Sequence, residues 1–237
     1  MSVTVWHDVE CGSYTADLGL WRELAAAEDG PVLDIGAGTG RVALDLAAAG
    51  HDVWALDREP ELLAALEARA AGRGLAVRTV TADARAFAVD ERFGLILVPM
   101  QTVQLLPERD GFFAAARAHL SPGGLLAVAI SGELEAFDGG STLLPPPDVG
   151  RVGGWRFESQ PLAVRIGPRG ARIERLRRTI DPDGRRVDQR EDVIELAHAD
   201  VATLEAEGRA AGLAPEPARH ILPTREHVGS EVVLLRG

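Results

Sequence analysis

Two common residue types, lysine and asparagine, are missing from this 237-residue chain, so that all 25 basic residues are arginine. Both missing types are encoded by A-rich codons. We therefore interpret the bias as the mark of a GC-rich genome and draw no chemical conclusion from the choice of arginine. The chain also has one cysteine, Cys11, which excludes an internal disulfide and gives no support to a cysteine-based metal site.

Long hydrophobic runs and an excess of positive charge are missing as well. No apolar run approaches the roughly 20 residues of a membrane span, and the first residues resemble no secretory signal. These features predict a cytoplasmic protein that does not associate with membranes. The net charge of −11 argues against a nucleic-acid partner, because a field of that sign repels phosphate backbones. One local exception is RIERLRR (172–178), whose alternation predicts that its arginines line one solvated strand face.

Short apolar runs alternate with helical patterns through the first half of the chain. This alternation predicts a parallel sheet with helices on both of its faces. SPGG (121–124) is predicted to be a turn that leads into the fifth strand. The predicted strands are 31–37, 51–57, 75–83, 93–100 and 125–131, and the predicted helices are 41–50, 60–74 and 107–120.

The pattern changes after residue 131. Residues 132–154 are rich in glycine and proline and predict a loop, whereas 155–196 read as antiparallel strands with a hairpin at the PDG sequence. A helix at 199–213 and strands at 217–223 and 230–237 follow. We therefore predict an α/β fold, a doubly wound, mainly parallel seven-stranded sheet with a small antiparallel sheet inserted after its fifth strand. The predicted segments are 1–30, 31–131, 132–196 and 197–237.

The stretch VLDIGAGTGR (32–41) sets three glycines, Gly36, Gly38 and Gly40, directly after the first strand. Ligands of such sheets bind beyond the carboxyl ends of the strands, and glycine permits close approach of the backbone. Dinucleotides and S-adenosylmethionine both use this geometry. The dinucleotide pattern G-x-G-x-x-G fits poorly, because its last position falls on Arg41, or on Ala43 in a register that leaves Gly36 inside the strand.

Acidic residues stand at three successive strand ends, as Asp34, Asp57 and Asp83. Each one alone could be a turn cap or a solvated residue. Together with the glycines, with FGLILVPMQTVQLL (93–106) and with SPGG, they resemble the class I S-adenosylmethionine-dependent methyltransferases from about residue 31 to 131. The resemblance implies cofactor contacts at Tyr14, Asp34, Gly36, Ala37, Gly38, Gly40, Asp57, Arg58, Asp83, Ala84, Arg85, Pro99, Met100 and Gln101.

Family roles give these contacts a chemical meaning. The resemblance implies that Asp57 accepts both ribose hydroxyls and that Asp83, with the Ala84 backbone N–H, binds the adenine ring. It also implies that 1–30 forms a lid, that 31–131 binds the cofactor, that 132–196 covers the substrate and contributes to homodimer contacts, and that 197–237 completes the sheet. The expected reaction is methyl transfer to an O or N of a small organic molecule, such as a natural-product or sugar intermediate of bacterial secondary metabolism.

No general base is assigned by the sequence. Similar small-molecule enzymes often carry Asn and His after the fourth strand, where this chain has Gln101 and Leu105. The candidates are Tyr14, Gln104 and Glu133. Tyr14 either contacts the cofactor or packs on Trp21. Gln104 either faces the site or caps a helix, and Glu133 either contacts substrate or is solvated.

Three other functions stay open at this stage. The first is a protein that binds S-adenosylmethionine without methylating, which the missing His would suit. The second is an NAD-dependent oxidoreductase. The third is an enzyme that methylates proteins, which an open, acidic groove would favour. The VPMQ sequence (98–101) and the acidic charge argue against a DNA base as substrate, and no metal-ligand motif stands out.

Overall fold

The computed structural model describes residues 3–132, 134–138, 140, 144–224 and 228–237. It divides the chain into two compact units. One, the core unit, consists of Thr15–Gly132 and Ala199–Gly237, and the other, the insertion unit, consists of Met1–Tyr14 and Glu133–His198. The predicted N-terminal segment 1–30 is thus divided between them.

A seven-stranded sheet forms the centre of the core unit, in the order β11-β12-β5-β4-β1-β2-β3. Strands β3, β2, β1, β4 and β5 are parallel, whereas β12 is antiparallel to both β5 and β11. This arrangement confirms the predicted fold class. The strands are β1 (Val32–Ile35), β2 (Val53–Asp57), β3 (Val77–Thr81), β4 (Phe93–Val98), β5 (Leu120–Ser131), β11 (Ala214–Ile221) and β12 (Ser230–Arg236).

The central strands β1 and β4 are buried along their whole length, as expected for strands covered on both faces by helices. Their side chains join an apolar core that includes Phe93, Ile96 and Phe112. None of the described helices is long and apolar enough to cross a membrane. The helices of the core unit are α2 (Leu18–Ala27), α3 (Ala43–Ala48), α4 (Pro60–Gly72), α5 (Asp110–His119) and α6 (Val201–Ala210).

Two predictions for the core unit were wrong in detail. SPGG is not a turn before the fifth strand but part of β5, where Gly123 and Gly124 exchange backbone hydrogen bonds with Gly237. The helix predicted from Pro107 begins only at Asp110. The first difference arises because tertiary pairing with Gly237 extends β5 beyond its local pattern.

The insertion unit is an antiparallel sheet with one helix, α1 (Val3–Cys11), packed on it. The Trp6 and Phe157 rings meet edge to face, 5.7 Å apart, and the Val9 side chain lies against the backbone of Gly150. The predicted PDG hairpin is confirmed. The predicted loop at 132–154, however, contains two strands. The strands are β6 (Phe137–Asp138), β7 (Asp148–Val152), β8 (Trp155–Gly167), β9 (Gly170–Ile180) and β10 (Arg186–Ala197).

The arginines of 172–178 do not line one solvated face, as alternation had predicted. Arg175 and Arg177 point to the face that carries α1 and are about six-sevenths buried, with side-chain exposures of 14% and 15%. Arg172, on the other face, is 45% exposed. The sequence pattern could not distinguish the two faces because both carry charge.

Candidate functional site

Parallel pairing brings the carboxyl ends of β1, β2, β3 and β4 to one edge of the core-unit sheet. Asp34 lies within β1, Asp57 ends β2, and Asp83 follows β3 by two residues. Two predicted residues lie outside the described part of the core unit. Tyr14 is buried and belongs to the insertion unit, and Glu133 lies outside the described residues. The other predicted residues lie at the edge, as Asp34, Gly36, Ala37, Gly38, Gly40, Asp57, Arg58, Asp83, Ala84, Arg85, Pro99, Met100, Gln101 and Gln104.

The glycine turn after β1 has positive φ angles at Gly36, Gly38 and Gly40, of 75°, 56° and 92°. Two of these glycines make room for protein side chains. A Cβ on Gly36 would lie 2.7 Å from the Thr102 hydroxyl, and one on Gly40 would lie 2.6 Å from Cγ of Leu66. Those two glycines therefore let the segment after β4 and helix α4 approach the turn.

Asp57 is held in one orientation by backbone donors. The Gly38 N–H donates to Oδ2 at 2.9 Å and the Glu59 N–H donates to Oδ1 at 3.0 Å. Each carboxylate oxygen has a second lone pair, so this carboxylate can still accept a pair of hydroxyl donors. The neighbouring Arg58 is largely exposed and lies 3.6 Å from Glu59.

Asp34 is the buried carboxyl group of the site, with 1% of its surface exposed. Neither of its oxygens has a hydrogen-bond partner of normal geometry among the described residues. Burial raises the pKa of Asp34 to about 7, although the Arg41 cation and the nearby Ala43 N–H lower it. An unsatisfied carboxyl group beside a glycine turn is suited to a cationic ligand.

Asp83 lies in a contrasting, exposed environment. Arg85 donates to it from Nε and Nη2, and its backbone N–H also donates to Oδ1. These hydrogen bonds, from the Arg85 side chain above all, lower the pKa of Asp83 to about 2. The adjacent Ala84 is partly buried.

The segment after β4 closes the edge of the sheet. The Pro99 carbonyl oxygen accepts from the Thr102 hydroxyl at 3.0 Å. Met100 adopts a φ of 57°, which is unfavourable for residues other than glycine. Gln101 precedes a single 3-10 turn, Thr102–Leu105. Within it, buried Gln104 accepts from the backbone N–H and hydroxyl of Ser131, at 2.8 and 3.1 Å. Gln104 therefore ties this segment to the end of β5.

One pair at this edge was missed by sequence reasoning. Arg41, directly after the glycine turn, makes two hydrogen bonds to Asp17, which precedes α2. Asp17 also accepts from the Trp21 indole at 2.8 Å. The spacing of Asp17 and Trp21 along a helix is a weak sequence signal, but nothing local indicates the pairing with Arg41, 24 residues away.

Comparison with known proteins identifies one segment within the core unit. Residues 32–124 match the family model of the methyltransferase domain. These residues form a methyltransferase domain. The match agrees with the methyltransferase motifs that the sequence places in the same segment.

Known relatives resemble the methyltransferase domain in sequence over part of their length. An uncharacterized protein of Mycobacterium tuberculosis (strain H37Rv) is 35% identical over 120 residues, which is 49% of this chain and 43% of the relative. A ubiquinone biosynthesis O-methyltransferase of Sinorhizobium fredii is 36% identical over 100 residues, 41% of this chain and 40% of the relative. The chain thus spans less than half of the length of these relatives.

Solved structures resemble the whole chain. The sugar N-methyltransferase KedS8 from Streptoalloteichus sp. aligns with 100% of this chain and 94% of its own, at 21% identity and a TM-score of 0.74. CalS10, an amino pentose methyltransferase from Micromonospora echinaspora bound to S-adenosylmethionine, aligns with 100% and 98%, at 22% identity and a TM-score of 0.72. At these identities the likeness establishes the fold.

Proposed function

We propose that this chain transfers a methyl group from S-adenosylmethionine to an O or N of a small organic molecule. The observation that carries the proposal is the Asp57 carboxylate, which the Gly38 backbone N–H holds at the end of β2 beside the glycine turn. A fixed carboxylate there is suited to two adjacent hydroxyl groups, as on a ribose.

The remaining residues of the edge fit the other parts of that cofactor. Asp34 offers a buried, unsatisfied carboxyl group for a positively charged part. Asp83 is ionised and exposed, and can accept from an amino group of the adenine after exchange with Arg85. Gln104 and Thr102 fix the segment after β4, which borders the same edge.

Bound there, the cofactor supplies a methyl group on a sulfonium, which is displaced in line by a nucleophile. The protein's main contribution is to hold the acceptor collinear with the methyl group in a dry site. The described residues around the end of β4 offer amides and a leucine rather than a base, at Gln101, Gln104 and Leu105. We therefore expect an acceptor that needs little help in losing its proton.

The structural neighbours favour a sugar or another natural-product intermediate as acceptor, in bacterial secondary metabolism. KedS8 is described as a sugar N-methyltransferase, and CalS10 as acting in calicheamicin biosynthesis. Residues 132–196 would cover such an acceptor and contribute to a homodimer. The cytoplasm as location belongs to the same proposal.

Calorimetric titration of the purified protein with S-adenosylmethionine, S-adenosylhomocysteine, NAD and NADP tests the cofactor. We expect the two adenosyl ligands to bind and the dinucleotides not to bind. Asp57→Ala should weaken binding of S-adenosylmethionine by about tenfold or more, because two charge-assisted hydrogen bonds are lost. Asp52→Ala is the matched control, since Asp52 stands at the opposite end of β2 and pairs with Arg78.

Different outcomes separate the candidate functions. Binding of NAD or NADP alone would make the chain a nicotinamide-dependent protein. Turnover on amino sugars, phenols and alcohols is measured as transfer of a labelled methyl group. Binding of the adenosyl ligands without such transfer would favour a binding protein without methylating activity. Equal affinity of Asp57→Ala and the parent protein would contradict the ribose contact.

A further inference from the structure

The ion pair between Asp17 and Arg41 is buried beside the glycine turn. Nη1 and Nη2 of Arg41 donate to the two oxygens of Asp17 at 2.5 and 2.7 Å, and the Trp21 indole donates to one of them. Asp17 is 1% exposed and the Arg41 side chain 10%. The guanidinium therefore has a fixed place within the core unit.

Such a pair needs an explanation other than stability. Removing two charges from water costs several kcal/mol per ion, and replacing a buried pair by apolar side chains is often neutral or stabilising. A bidentate pair at the surface already joins the two helices that follow these residues, where Arg22 of α2 binds Asp45 of α3. The buried pair is thus not required simply to attach α2 to α3.

The consequence of the buried pair is electrostatic and falls on Asp34. Burial is the largest influence on its carboxyl group and favours the neutral form. Three charged groups act on it electrostatically. The Arg41 cation favours the ionised form, and the Asp57 and Asp17 carboxylates oppose it, while the Ala43 N–H supports ionisation. Moving the Arg41 guanidinium would therefore change the charge of Asp34.

We propose that Asp17 and Arg41 are positioning residues for the cofactor turn, in which Asp17 fixes the Arg41 guanidinium beside Asp34 so that this carboxyl group is ionised when a cationic ligand binds. The inference rests on the proposed function for the identity of the ligand. The effect of the ion pair on Asp34 does not depend on that function and can be measured in the protein without any ligand.

Carbon-13 NMR titration of the Asp34 carboxyl group provides that measurement. Arg41→Gln removes the cation and should move the midpoint of the titration to higher pH. Asp17→Asn separates two explanations. If Asp17 only contributes its negative charge, the midpoint falls, whereas if Asp17 holds Arg41 in place, the guanidinium leaves and the midpoint rises. We expect a rise in both variants, and a fall in Asp17→Asn would overturn the proposal.

Three further variants keep the test decisive. Arg41→Lys retains a cation and should restore the parent midpoint more closely than Arg41→Gln does. Arg22→Gln breaks the surface pair between α2 and α3 and should leave the midpoint unchanged. If a single variant unfolds because one buried charge is left alone, Asp17→Leu/Arg41→Met removes both charges and should again raise the midpoint.

Calorimetry links the pair to the ligand. In the parent protein, the affinity for S-adenosylmethionine should increase as pH rises through the Asp34 midpoint, and Arg41→Gln should move this increase upward and weaken binding near neutral pH by about tenfold. A parent protein that does not bind S-adenosylmethionine would refute the proposed function but not the NMR result. Variants that bind and titrate like the parent would refute the positioning role alone.

Discussion

Asp34 combines a buried carboxyl group with unsatisfied oxygens, and this combination affects stability as well as binding. Its pKa of about 7 in the folded chain lies well above the value of about 3.9 typical of an unfolded one. Between these two pH values the folded state binds more protons than the unfolded state. The contribution of Asp34 to the free energy of unfolding is therefore full below pH of about 4 and decreases as pH rises to about 7.

Asp34→Asn should remove this dependence. The amide does not ionise, so the free energy of unfolding of the variant should increase relative to the parent protein as pH rises, by up to about 4 kcal/mol across the window. Urea unfolding at a series of pH values measures the difference. Asp52→Asn, which removes an exposed carboxyl group just before β2, is the control. Two parallel pH profiles would show that Asp34 does not titrate in this range.

The glycine turn shows how far single residues could be interpreted before the fold was known. Gly36, Gly38 and Gly40 were predicted to admit a ligand, and all three do adopt positive φ. For Gly36 and Gly40, however, the atoms nearest to an added Cβ belong to Thr102 and Leu66. Thr102 comes from a segment more than sixty residues away in the sequence, so its approach could not be inferred from the motif itself.

At the scale of elements, helix α1 is attached to the antiparallel sheet by charge as well as by packing. Glu10 accepts two hydrogen bonds from Arg177, each 2.7 Å long, and one from the Ser159 hydroxyl at the same distance. Burial raises the pKa of the Glu10 carboxyl group, but these hydrogen bonds and the cations of Arg177 and Arg175 outweigh it and hold that pKa below its ordinary value. The helix is thus held to its sheet by an ionised group.

Glu10→Gln should loosen α1. The substitution leaves the largely buried Arg177 with less compensating charge, which should cost about 3 kcal/mol, as is typical when one partner of a buried pair is removed. Hydrogen exchange of the amides of α1 measures the effect, and we expect faster exchange there. Glu174→Gln, on the other face of the same sheet, should leave α1 unchanged because its arginine partners are solvated. Unaltered exchange in Glu10→Gln would mean that the apolar contacts of Trp6 and Val9 suffice.

Elements of the core unit were predicted more accurately than those of the insertion unit, for a physical reason. The strands β1, β2 and β4 are covered on both faces, so their apolar runs stand out against the amphipathic helices between them. The insertion sheet alternates charge on both faces, and the short strands β6 and β7 arise in a stretch rich in glycine and proline, where the local pattern favours a loop. Their pairing with β8 is a tertiary contact that no local pattern records.

At the scale of the whole molecule, the net charge of −11 creates a long-range field that attracts cations. S-adenosylmethionine and S-adenosylhomocysteine differ by the positive sulfonium, so the field should favour the first of them. Screening removes this preference, because the Debye length shrinks from about 30 Å at 0.01 M ionic strength to about 10 Å at 0.1 M. Salt should therefore weaken the binding of the cationic cofactor more than that of its product.

Titration of both ligands into the protein at about 0.01 M and about 0.1 M salt measures this difference. We expect the dissociation constant of S-adenosylmethionine to rise severalfold and that of S-adenosylhomocysteine to change little. Duplex DNA, tested at the lower salt concentration, should not bind, because the same field repels phosphates. An equal response of the two adenosyl ligands would mean that their binding senses the carboxylates at the edge of the sheet only at short range, where Asp34, Asp57 and Asp83 act through direct contacts that salt screens weakly.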